Sequence, residues 1–539
     1  MVRVGVEGDS IERMSIRPFD SGTEVSMPLV LAIDLGTSTI KTAVIDERGT
    51  ILAEGRAEQK LIGPERGVRE HDPRQMWQAT RRAISGALNG TTSSKGRIGA
   101  VVVTGPRGTF CFVDRDGRPL SNFVTWQDQR GAALSEQLYE RFDQGQYREL
   151  TGMGYTPFAA LSHVLWMQQH RPDLVDAAFA ISTPQGHILR RLGANLDVVE
   201  PSTAAHIGLL ELERRRWSPE LRSAFALNRL ELPAVVDTGA IVGRTSVEAQ
   251  RQLGLPSGIT LVLAGSDGIC QELGLGVINP GQVYAYLGTA SAIAGPILAS
   301  VGQPSSDLSR CGVVRMPGWD RRHDRLLGLG GAGASAADWI ATVLGLRHVE
   351  MLDGLVEACE PGASGMLFLP TLAGAVAPEP ESTAFASFVG LAFHHRPEHF
   401  ARSVLEGVAI ELRWMLEDFR FYDVRPTEVR LTGGGARSAA WRQIVADVLQ
   451  IPVLSDSNRE NGLRGAAIFA YAATTGEPID DLAVQWSMGL ELTEPSSVLG
   501  CIYERMASNY RLLRQVFVRG RVDRTLFDTS AWLAMADSR

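Results

Sequence analysis

Residues 29–45 read LVLAIDLGTSTIKTAVI, and this stretch decides the fold class. A short apolar run of strand length ends at Asp34, a Gly-Thr-Ser turn follows, and residues 40–45 predict a second strand. Because only a short loop joins them, the two strands form a hairpin. A turn at residues 46–49 leads into a third strand from Thr50.

Beyond this hairpin, predicted strands alternate with predicted helices. Asp72 and Pro73 mark a helix start, because aspartate is a good N-cap and proline suits the first helical position. Apolar residues recur behind them at helical spacing, and residues 100–104 form the pattern of another buried strand. Such alternation predicts an α/β protein.

A fainter version of the opening motif returns in the second half of the chain. The apolar run 283–287 leads into Gly288-Thr289-Ala290-Ser291, and a strand-like stretch follows at 292–296. An internal duplication would place its second copy here. The region 298–325 is irregular and is interpreted as an insertion. Long helices are predicted at 399–421, 437–449 and 496–517.

Length, composition and charge exclude several classes of protein. The chain has 539 residues, which at about 150 per domain suggests two to four domains. A net charge of −8 argues against a nucleic-acid-binding surface. No apolar run reaches the ~18 residues that a membrane span needs. The 5 cysteines form no C-x-x-C pair, so we expect neither a zinc site nor a disulfide framework.

The two ends of the chain have the composition of peripheral tails. Residues 1–27 carry mixed charges and contain no apolar stretch long enough for a signal-peptide core. Residues 520–539 also look peripheral. With separated cysteines and no sign of a signal peptide, the cytoplasm is the expected compartment.

The turn after the first strand is a candidate phosphate loop. Gly36 lets the backbone approach a ligand closely, and the N–H groups and hydroxyls of Thr37 and Ser38 can donate to phosphate oxygens. Asp34 can bind Mg²⁺ or its water ligands. An ordinary hairpin turn with a polar residue at the strand end is the alternative interpretation.

A second candidate ligand loop lies at a strand-to-helix switch and consists of Gly433, Gly434, Gly435, Ala436 and Arg437. Three glycines allow a flat ligand to lie against bare backbone, and the start of a helix favours anionic groups. The segment has neither the G-x-G-x-x-G spacing of a dinucleotide fingerprint nor the G-K-[ST] of a Walker A loop. A flexible loop is the alternative.

Asp267 lies between two glycines after the largely apolar run 259–263. An aspartate in this position is either a turn former or a carboxylate exposed in a cleft. Beside a magnesium-phosphate loop, a carboxylate is what phosphoryl transfer to an alcohol needs, because some group must orient and deprotonate the attacking hydroxyl.

Two further loops combine polar and aromatic groups after predicted strands. Arg107 lies in the segment 105–109, and Trp126 and Asp128 lie in the segment 126–130. An indole offers an apolar face to the carbon skeleton of a sugar, while arginine and aspartate hydrogen-bond hydroxyls. A structural ion pair beside a half-buried tryptophan is the alternative interpretation.

Together and in this order, these segments resemble the FGGY carbohydrate kinase family, which includes xylulokinase, ribulokinase and glycerol kinase. The likeness runs from about residue 28 to residue 517. Residues 386–391, ASFVGL, and 399–406, HFARSVLE, fit the C-terminal signature of the family. Residues 431–438, LTGGGARS, look like its adenosine segment.

The resemblance implies two actin-like, ribonuclease H-like domains, residues 28–274 and 275–519, with ATP and the sugar in the cleft between them. Asp267 matches the catalytic base, and the family position of Asp34 implies that these two carboxylates hold Mg²⁺. Arg107, Trp126 and Asp128, with Asp267, would bind the sugar. The implied nucleotide-binding residues are Asp34, Gly36, Thr37, Ser38, Gly288, Thr289, Gly433, Gly434, Gly435, Ala436 and Arg437.

The predicted sugar pocket departs from that of familiar members. Residues 105–108 replace a Gly-Gln-Met-His-like segment of many pentulose kinases, and segment 126–130 is closer to glycerol kinases. Those enzymes, however, carry glutamate where this chain has Gly108 and glutamine where it has Gly268. The sugar pocket is therefore predicted to be specialised.

The resemblance implies an ATP-dependent kinase of a ketopentose, similar to xylulokinase. A glycerol- or erythritol-type polyol kinase is the alternative, followed by a non-catalytic sensor of ATP and sugar. The GGGAR segment argues against an actin- or chaperone-type ATPase. Many relatives pair as dimers, so the resemblance allows a homodimer, with neither nucleic acid nor membrane as a partner.

Overall fold

The computed structural model describes residues 28–519 except 64, 66, 92–95, 135–137, 155, 157–158, 303–310, 373, 377–383 and 457–459. The two predicted tails, residues 1–27 and 520–539, lie outside this part of the chain. Two sheets form the framework of the described residues, and each is covered by helices.

The first sheet consists of β1 (Leu29–Leu35), β2 (Thr39–Ile45), β3 (Ile51–Glu58), β4 (Ile98–Thr104), β5 (Ile241–Arg244) and β6 (Thr260–Leu263). Their order across the sheet is β5-β6-β4-β1-β2-β3. The predicted hairpin is confirmed, since β1 and β2 are antiparallel and Asp34 is paired with Lys41. Strand β1 is almost wholly buried, as its apolar sequence predicts.

The second sheet consists of β7 (Gln282–Leu287), β8 (Ser291–Leu298), β9 (Val314–Pro317), β10 (His323–Gly330), β11 (Glu428–Thr432), β12 (Val453–Ser455) and β13 (Glu491–Thr493). Their order is β9-β10-β8-β7-β11-β12-β13. The interpretation of residues 298–325 as an irregular insertion is therefore wrong for β9 and the start of β10. Both strands extend the sheet by pairing, β10 with β8 and β9 with β10.

The two sheets share one topology, which confirms the internal duplication. In the first, β1 is antiparallel to β2, β2 is antiparallel to β3, and on the other side β4 and β6 follow in parallel. In the second, β7, β8 and β10 repeat the antiparallel part, while β11 and β12 repeat the parallel part. The carboxyl ends of β1 and β7 thus end in equivalent turns.

The longer helices are α1 (Pro73–Gly90), α2 (Gln144–Thr151), α3 (Ala160–His170), α4 (Pro184–Leu192), α5 (Val247–Leu253), α6 (Asp267–Gly274), α7 (Ala334–Val343), α8 (Pro397–Glu417), α9 (Ala439–Leu449), α10 (Asn461–Thr475), α11 (Ile479–Trp486) and α12 (Gly500–Arg514). The predicted helix start is confirmed, because the Asp72 carboxylate accepts a hydrogen bond from the Arg74 N–H at 2.7 Å. The long predicted helices correspond to α8, α9 and α12. No described helix combines the length and the apolar character that crossing a bilayer requires.

Shorter elements connect these strands and helices. The short α-helices are Leu138–Arg141, Pro172–Ala177, Pro201–Ala205, Pro219–Ala224 and Leu352–Glu357. Single turns of 3₁₀ helix are Ala132–Leu134, Val349–Met351, Ala363–Gly365, Asp418–Tyr422, Gly434–Arg437 and Ser497–Leu499, and Gln515–Arg519 is a π turn. Paired short strands are Glu70–His71 with Phe123–Val124, Cys111–Val113 with Ala180–Ser182, Val198–Val199 with Ala234–Val235, Leu210–Glu211 with Arg216–Trp217, and Leu367–Leu369 with Ser387–Val389.

Helices α6 and α10 cross between the two sheets at a contact that only glycine permits. A Cβ atom on Gly274 would overlap the carbonyl oxygen of Asn461, and one on Gly465 would overlap that of Cys270. Helix α10 belongs to the second half of the sequence, yet Leu463 and its neighbours share a buried apolar cluster with the first sheet. The predicted boundary after residue 274 falls between α6 and β7 and stays a prediction.

Candidate functional site

A cavity of about 420 Å³ opens between the two sheets. The turn after β1, the loop after β4 and the start of α6 line one side, and β7, β8 and β10 line the other. The predicted site residues that line it are Asp34, Gly36, Thr37, Ser38, Arg107, Trp126, Asp267 and Thr289. The structure therefore brings together residues from both halves that are more than 250 positions apart in the sequence.

Asp34 is an acidic residue of this cavity with a strongly raised pKa. Its Oδ1 atom is buried and has no hydrogen-bond partner among the residues the structure describes. Burial, and then the negative charge of Asp267, raises the pKa of Asp34 to about 7, although Lys41 acts in the opposite direction. Lys41 is directed to Glu460, with 3.0 Å between Nζ and Oε2. Asp34 thus has an open acceptor atom.

Asp267 is the first residue of α6, where the helix dipole favours a negative charge. Its backbone N–H donates to the Gly105 carbonyl at 3.0 Å, which fixes it against the loop after β4. Its Oδ1 accepts from the Gly268 N–H at 2.7 Å and lies 3.8 Å from Nε of Arg107. The side chain is 42% exposed, so a ligand in the cavity can reach the carboxylate.

The two turns that close the strand ends carry threonine hydroxyls. The indole N–H of Trp126 donates to Oγ1 of Thr37 at 3.3 Å, which links the first turn to a predicted sugar-binding loop. In the second turn, the carbonyl of Thr289 accepts from Oγ of Ser335 at 2.5 Å and from the Gly333 N–H at 3.2 Å. These bonds tie the second turn to the start of α7.

The glycine-rich segment lies beside the second turn rather than in the wall of the cavity. Gly433 has a φ of 94°, and a Cβ atom there would be 2.5 Å from the carbonyl oxygen of Leu287, the last residue of β7. Only glycine fits this close approach. Residues 434–437 form a 3₁₀ turn, so α9 begins two residues later than predicted, with Ser438 as its N-cap.

The structure does not bring Asp128 to the cavity. Its side chain is fully buried, and its Oδ2 accepts from the Arg69 N–H and from Nη2 of Arg130, each at 2.8 Å. The Arg130 guanidinium lies 5.0 Å over the ring of Trp166. Asp128 therefore forms the structural ion pair that was the alternative interpretation. A buried carboxylate needs hydrogen-bond partners, and here protein groups supply them in place of a sugar hydroxyl. Gly288 is buried next to Thr289 and is likewise not part of the cavity wall.

Sequence analysis missed several residues of the cavity, namely His206, Gln271, Tyr284, Tyr286 and Arg325. Arg325 lies on β10, within the segment interpreted as irregular. The apolar residues that follow it, Leu326 and Leu327, and the nearby glycines are the signal of a buried strand that could have located it. Burial, followed by the charge of Arg107, lowers the pKa of His206, so this imidazole is neutral.

Comparisons with known proteins cover most of this fold. Residues 29–274 match the profile of the FGGY family of carbohydrate kinases, N-terminal domain, and residues 332–474 match the C-terminal domain. The chain is 30% identical over 421 residues to the xylulose kinase of Escherichia coli (strain K12), covering 78% of this chain and 84% of that one. It is 26% identical over 506 residues to the gluconokinase of Bacillus subtilis (strain 168), covering 91% and 94%.

A solved structure supports the same architecture. The ligand-bound xylulose kinase from Lactobacillus acidophilus superimposes with a TM-score of 0.84 at 23% identity, over 90% of this chain and 98% of that one. A likeness at this identity shows the fold. With the repeated sheet topology, it confirms the predicted pair of actin-like, ribonuclease H-like domains.

Proposed function

Because the chain belongs to the FGGY family of carbohydrate kinases, we propose that it transfers the γ-phosphoryl group of ATP to a hydroxyl of a ketopentose, as a xylulokinase-like enzyme. The observation that carries the proposal is the cavity between the sheets, where the Asp34 and Asp267 carboxylates meet the threonines of both turns. Phosphoryl transfer depends on positioning and on electrostatic stabilisation, and this arrangement offers both.

The nucleotide is proposed to lie along the carboxyl ends of β1, β7 and β11. Residues 36–38 and 288–289 would hold the phosphates through backbone N–H groups and hydroxyls. Residues 433–437 would flank adenosine, because their bare backbone borders the second turn and offers a flat surface. All three segments follow the carboxyl ends of strands, where ligands of α/β sheets bind.

Asp267 is proposed as the general base, with Arg107 and Trp126 holding the sugar. Its exposed carboxylate can accept the proton of a sugar hydroxyl as the hydroxyl oxygen attacks the γ-phosphorus. Its backbone hydrogen bond to Gly105 and the hydrogen bond that its carboxylate accepts from the Gly268 N–H keep the carboxylate oriented. The indole of Trp126 offers an apolar face to the carbon chain of the acceptor.

The residues present fit a magnesium ion. Asp34 has a buried oxygen without a hydrogen-bond partner, which is a suitable ligand for a hard cation. No group of three or more His, Cys, Asp or Glu side chains in the described ranges forms a metal cluster, so the phosphates of ATP would supply further ligands. When bound, Mg²⁺ neutralises charge on the transferring phosphoryl group. Asp34 and Asp267 would hold it from the protein side.

The test is Mg-ATP-dependent release of ADP with D-xylulose, L-xylulose, D-ribulose, L-ribulose, glycerol, erythritol and arabinitol, against a control without sugar. Strong turnover with a ketopentose would support the proposal. Turnover with polyols alone would favour the glycerol- or erythritol-type alternative. Binding of ATP without turnover of any acceptor would contradict the kinase proposal and favour a sensor.

The compartment and the assembly remain proposals as well. All 5 cysteines are free, and Cys111, Cys270, Cys311 and Cys359 are buried, which is consistent with a reducing compartment such as the cytoplasm. A homodimer rests on the family resemblance. Size-exclusion chromatography with light scattering distinguishes it from a monomer.

A further inference from the structure

Helix α12 carries apolar side chains on two faces. Its inner face includes Tyr503 and Tyr510, which belong to the buried core of the second half. On its outer face, Ile502 is 40% exposed and Leu512 is 62% exposed, and Val516 in the turn that follows is 59% exposed. A helix at a protein surface normally buries a single apolar face, so the second one indicates a contact surface.

The outer face of α12 is one wall of a groove of about 660 Å³. The opposite wall consists of the 3₁₀ turn Ala363–Gly365, of Gly362 before it, and of Val389 and Gly390. A Cβ atom on Gly362 would be 3.3 Å from Cγ2 of Ile502, which is closer than two carbon atoms normally pack. The absence of a side chain at residue 362 therefore keeps the groove open.

The distance between the two walls is set by Glu406, a buried residue of α8. Its Oε1 atom accepts a hydrogen bond from the Gly362 N–H at 2.9 Å and another from the Tyr503 hydroxyl at 2.9 Å. Arg402 balances its charge, with 2.7 Å between Nε and Oε1. Because Gly362 belongs to one wall and Tyr503 to the helix that forms the other, one carboxylate holds both walls in place.

The lining of the groove is mostly apolar and contains a single charged residue, Arg505. The preceding acidic residue, Glu504, pairs with Arg413 instead. Arg505 itself takes part in no ion pair within the described ranges. An occupant that complements this groove would offer several large apolar side chains and one negative charge.

The segment that follows α12 and its last turn has this composition. Residues 520–539 lie outside the described part of the chain. Residues 526–535 within this segment carry five large apolar side chains and a single charge, namely Leu526, Phe527, Asp528, Trp532, Leu533 and Met535. Exposure of so many large apolar groups to water is unfavourable. Because the segment is joined to the helix that forms the groove, its effective concentration there is high.

The length of the segment also suits the groove. Along α12 the lining extends from Cys501 to Leu513, which is about 18 Å along a helix axis. Ten extended residues span up to about 33 Å, and residues 520–525 are enough for a reversal of the chain. Residues 1–27, which also lie outside the described ranges, are joined to the first sheet, whereas the groove belongs to the second half.

We propose that residues 526–535 turn back over α12 and occupy this groove, with Asp528 next to Arg505. The occupant is thus a segment of the chain itself, and the contact covers Ile502, Leu512 and the thiol of Cys501. The inference does not depend on the proposed kinase function, since the groove is separate from the cavity that contains Asp34 and Asp267.

The experiment uses Cys501 of the full-length protein as a native probe, because it is exposed and lines the groove while the other four cysteines are buried. Its rate of reaction with a maleimide is measured in wild type, Phe527→Ser/Trp532→Ser and Leu512→Glu. We expect both variants to react about tenfold faster or more, since each loses large apolar contacts. Equal rates in all three proteins would overturn the inference.

Leu196→Glu is the matched control, because Leu196 is a leucine of the first half with 65% exposure. It should leave the rate at Cys501 unchanged. Rates that rise equally in Leu196→Glu and Leu512→Glu would mean that added charge alone opens the protein, and would contradict the docked segment. Retention of wild-type circular dichroism in each variant shows that the fold is intact.

A charge exchange tests the position of the segment. Arg505→Glu and Asp528→Arg should each raise the rate at Cys501 by about threefold, as expected for an ion pair at a surface. The double variant Arg505→Glu/Asp528→Arg should return towards wild type, because the two charges again differ in sign. If the two effects simply add, the proposed contact of Asp528 with Arg505 is wrong.

Crosslinking then identifies the occupant. Ala531→Cys and Ala534→Cys each place a thiol in the segment, and a short bismaleimide can join it to Cys501. Denaturing gels and peptide mass spectrometry distinguish links within one chain from links between two chains. Links within one chain that are lost on Leu512→Glu would support the inference. Links between two chains alone would show that a second copy occupies the groove, and these or an absence of links would overturn it.

Discussion

The hairpin of β1 and β2 and the hairpin of β7 and β8 occupy equivalent places in the two sheets, yet their side chains differ in charge. Asp34 is paired with Lys41 on β2 and with Thr104 on β4. The residue in the same register of the second sheet is Tyr286, paired with Ala292 on β8 and with Thr432 on β11. One hairpin thus combines an acid with a lysine, and its counterpart has neither.

The same asymmetry continues beyond the hairpins. Helix α6 follows β6 and begins with Asp267, while the equivalent helix α10 follows β12 and begins with Asn461. Both turns nevertheless keep a Gly-Thr pair. Backbone N–H groups and hydroxyls are enough to hold phosphates, so the duplicated scaffold supplies them twice. The carboxylates that we propose for the proton and the cation, Asp267 and Asp34, both come from the first half.

The largest expected effect is that of Asp267→Asn, which makes the start of α6 resemble the start of α10. If Asp267 is the base, kcat should fall by about 10³-fold, while ATP binding stays nearly intact. Single-turnover kinetics with the preferred acceptor and titration with ATP measure the two quantities. Turnover close to wild type would mean that Asp267 is not the base.

Asp34→Asn tests the first hairpin against the second, with Tyr286→Phe as the matched change in the equivalent position. We expect the Mg²⁺ concentration for half-maximal activity to rise by about tenfold or more for Asp34→Asn, because a charged ligand is lost. Tyr286→Phe removes only a neutral hydroxyl and should change it little. If the two variants need similar Mg²⁺ concentrations for half-maximal activity, the proposal that the first half binds the cation is contradicted.

Thr37→Ala and Thr289→Ala test what the two turns have in common. If both hydroxyls donate to phosphates, each variant should raise the KM for ATP by about five- to tenfold. Thr→Ser at the same positions keeps the hydroxyl and should restore most of the affinity. A rise for one turn alone would show that the phosphates depend on one hairpin, and the symmetry of the scaffold would then not extend to its function.

Sequence analysis alone predicted many of the features compared here, because these features depend on local sequence patterns. A buried strand that ends in a Gly-Thr turn predicts exposed donors wherever it occurs, and both turns were found in this way. Asp267 was found because glycines bound it after an apolar strand. These residues lie at carboxyl ends of strands of two sheets that face one cleft, so the fold brings them together.

The residues that sequence analysis misplaced depend on distant partners. Arg325 lies opposite Gly268 only because the two sheets face each other, and the sequence of β10 does not predict this contact. Asp128 is of a residue type that binds sugar hydroxyls, but the Arg69 N–H and the Arg130 guanidinium already hydrogen-bond its carboxylate in the interior. Burial of a polar side chain is decided by tertiary partners, which a local pattern does not contain.

The smallest expected effect is on the free energy of unfolding, and it concerns a difference between the two halves in their buried histidines. The buried histidines with a lowered pKa, His71, His163, His187 and His206, all lie in the first half. For His187, burial, followed by the charges of Arg191 and Arg190, lowers the pKa to about 4. Between its ordinary value near 6.5 and pH 4 the unfolded chain binds a proton that the folded chain does not, so stability is lost as the pH falls through this window.

His187→Phe should therefore remove part of the acid sensitivity of the first half. Its ring already contacts Phe123 edge to face, with 5.7 Å between centroids, so an aromatic replacement suits the site. Between pH 7.5 and pH 5, the variant should lose about 2 kcal/mol less stability than the wild type, as the shift of one buried histidine implies. Urea unfolding at the two pH values, followed by hydrogen exchange in each half, measures this difference. An equal loss in both proteins would mean that His187 takes up its proton in the folded state, and that the acid sensitivity of the first half has another source.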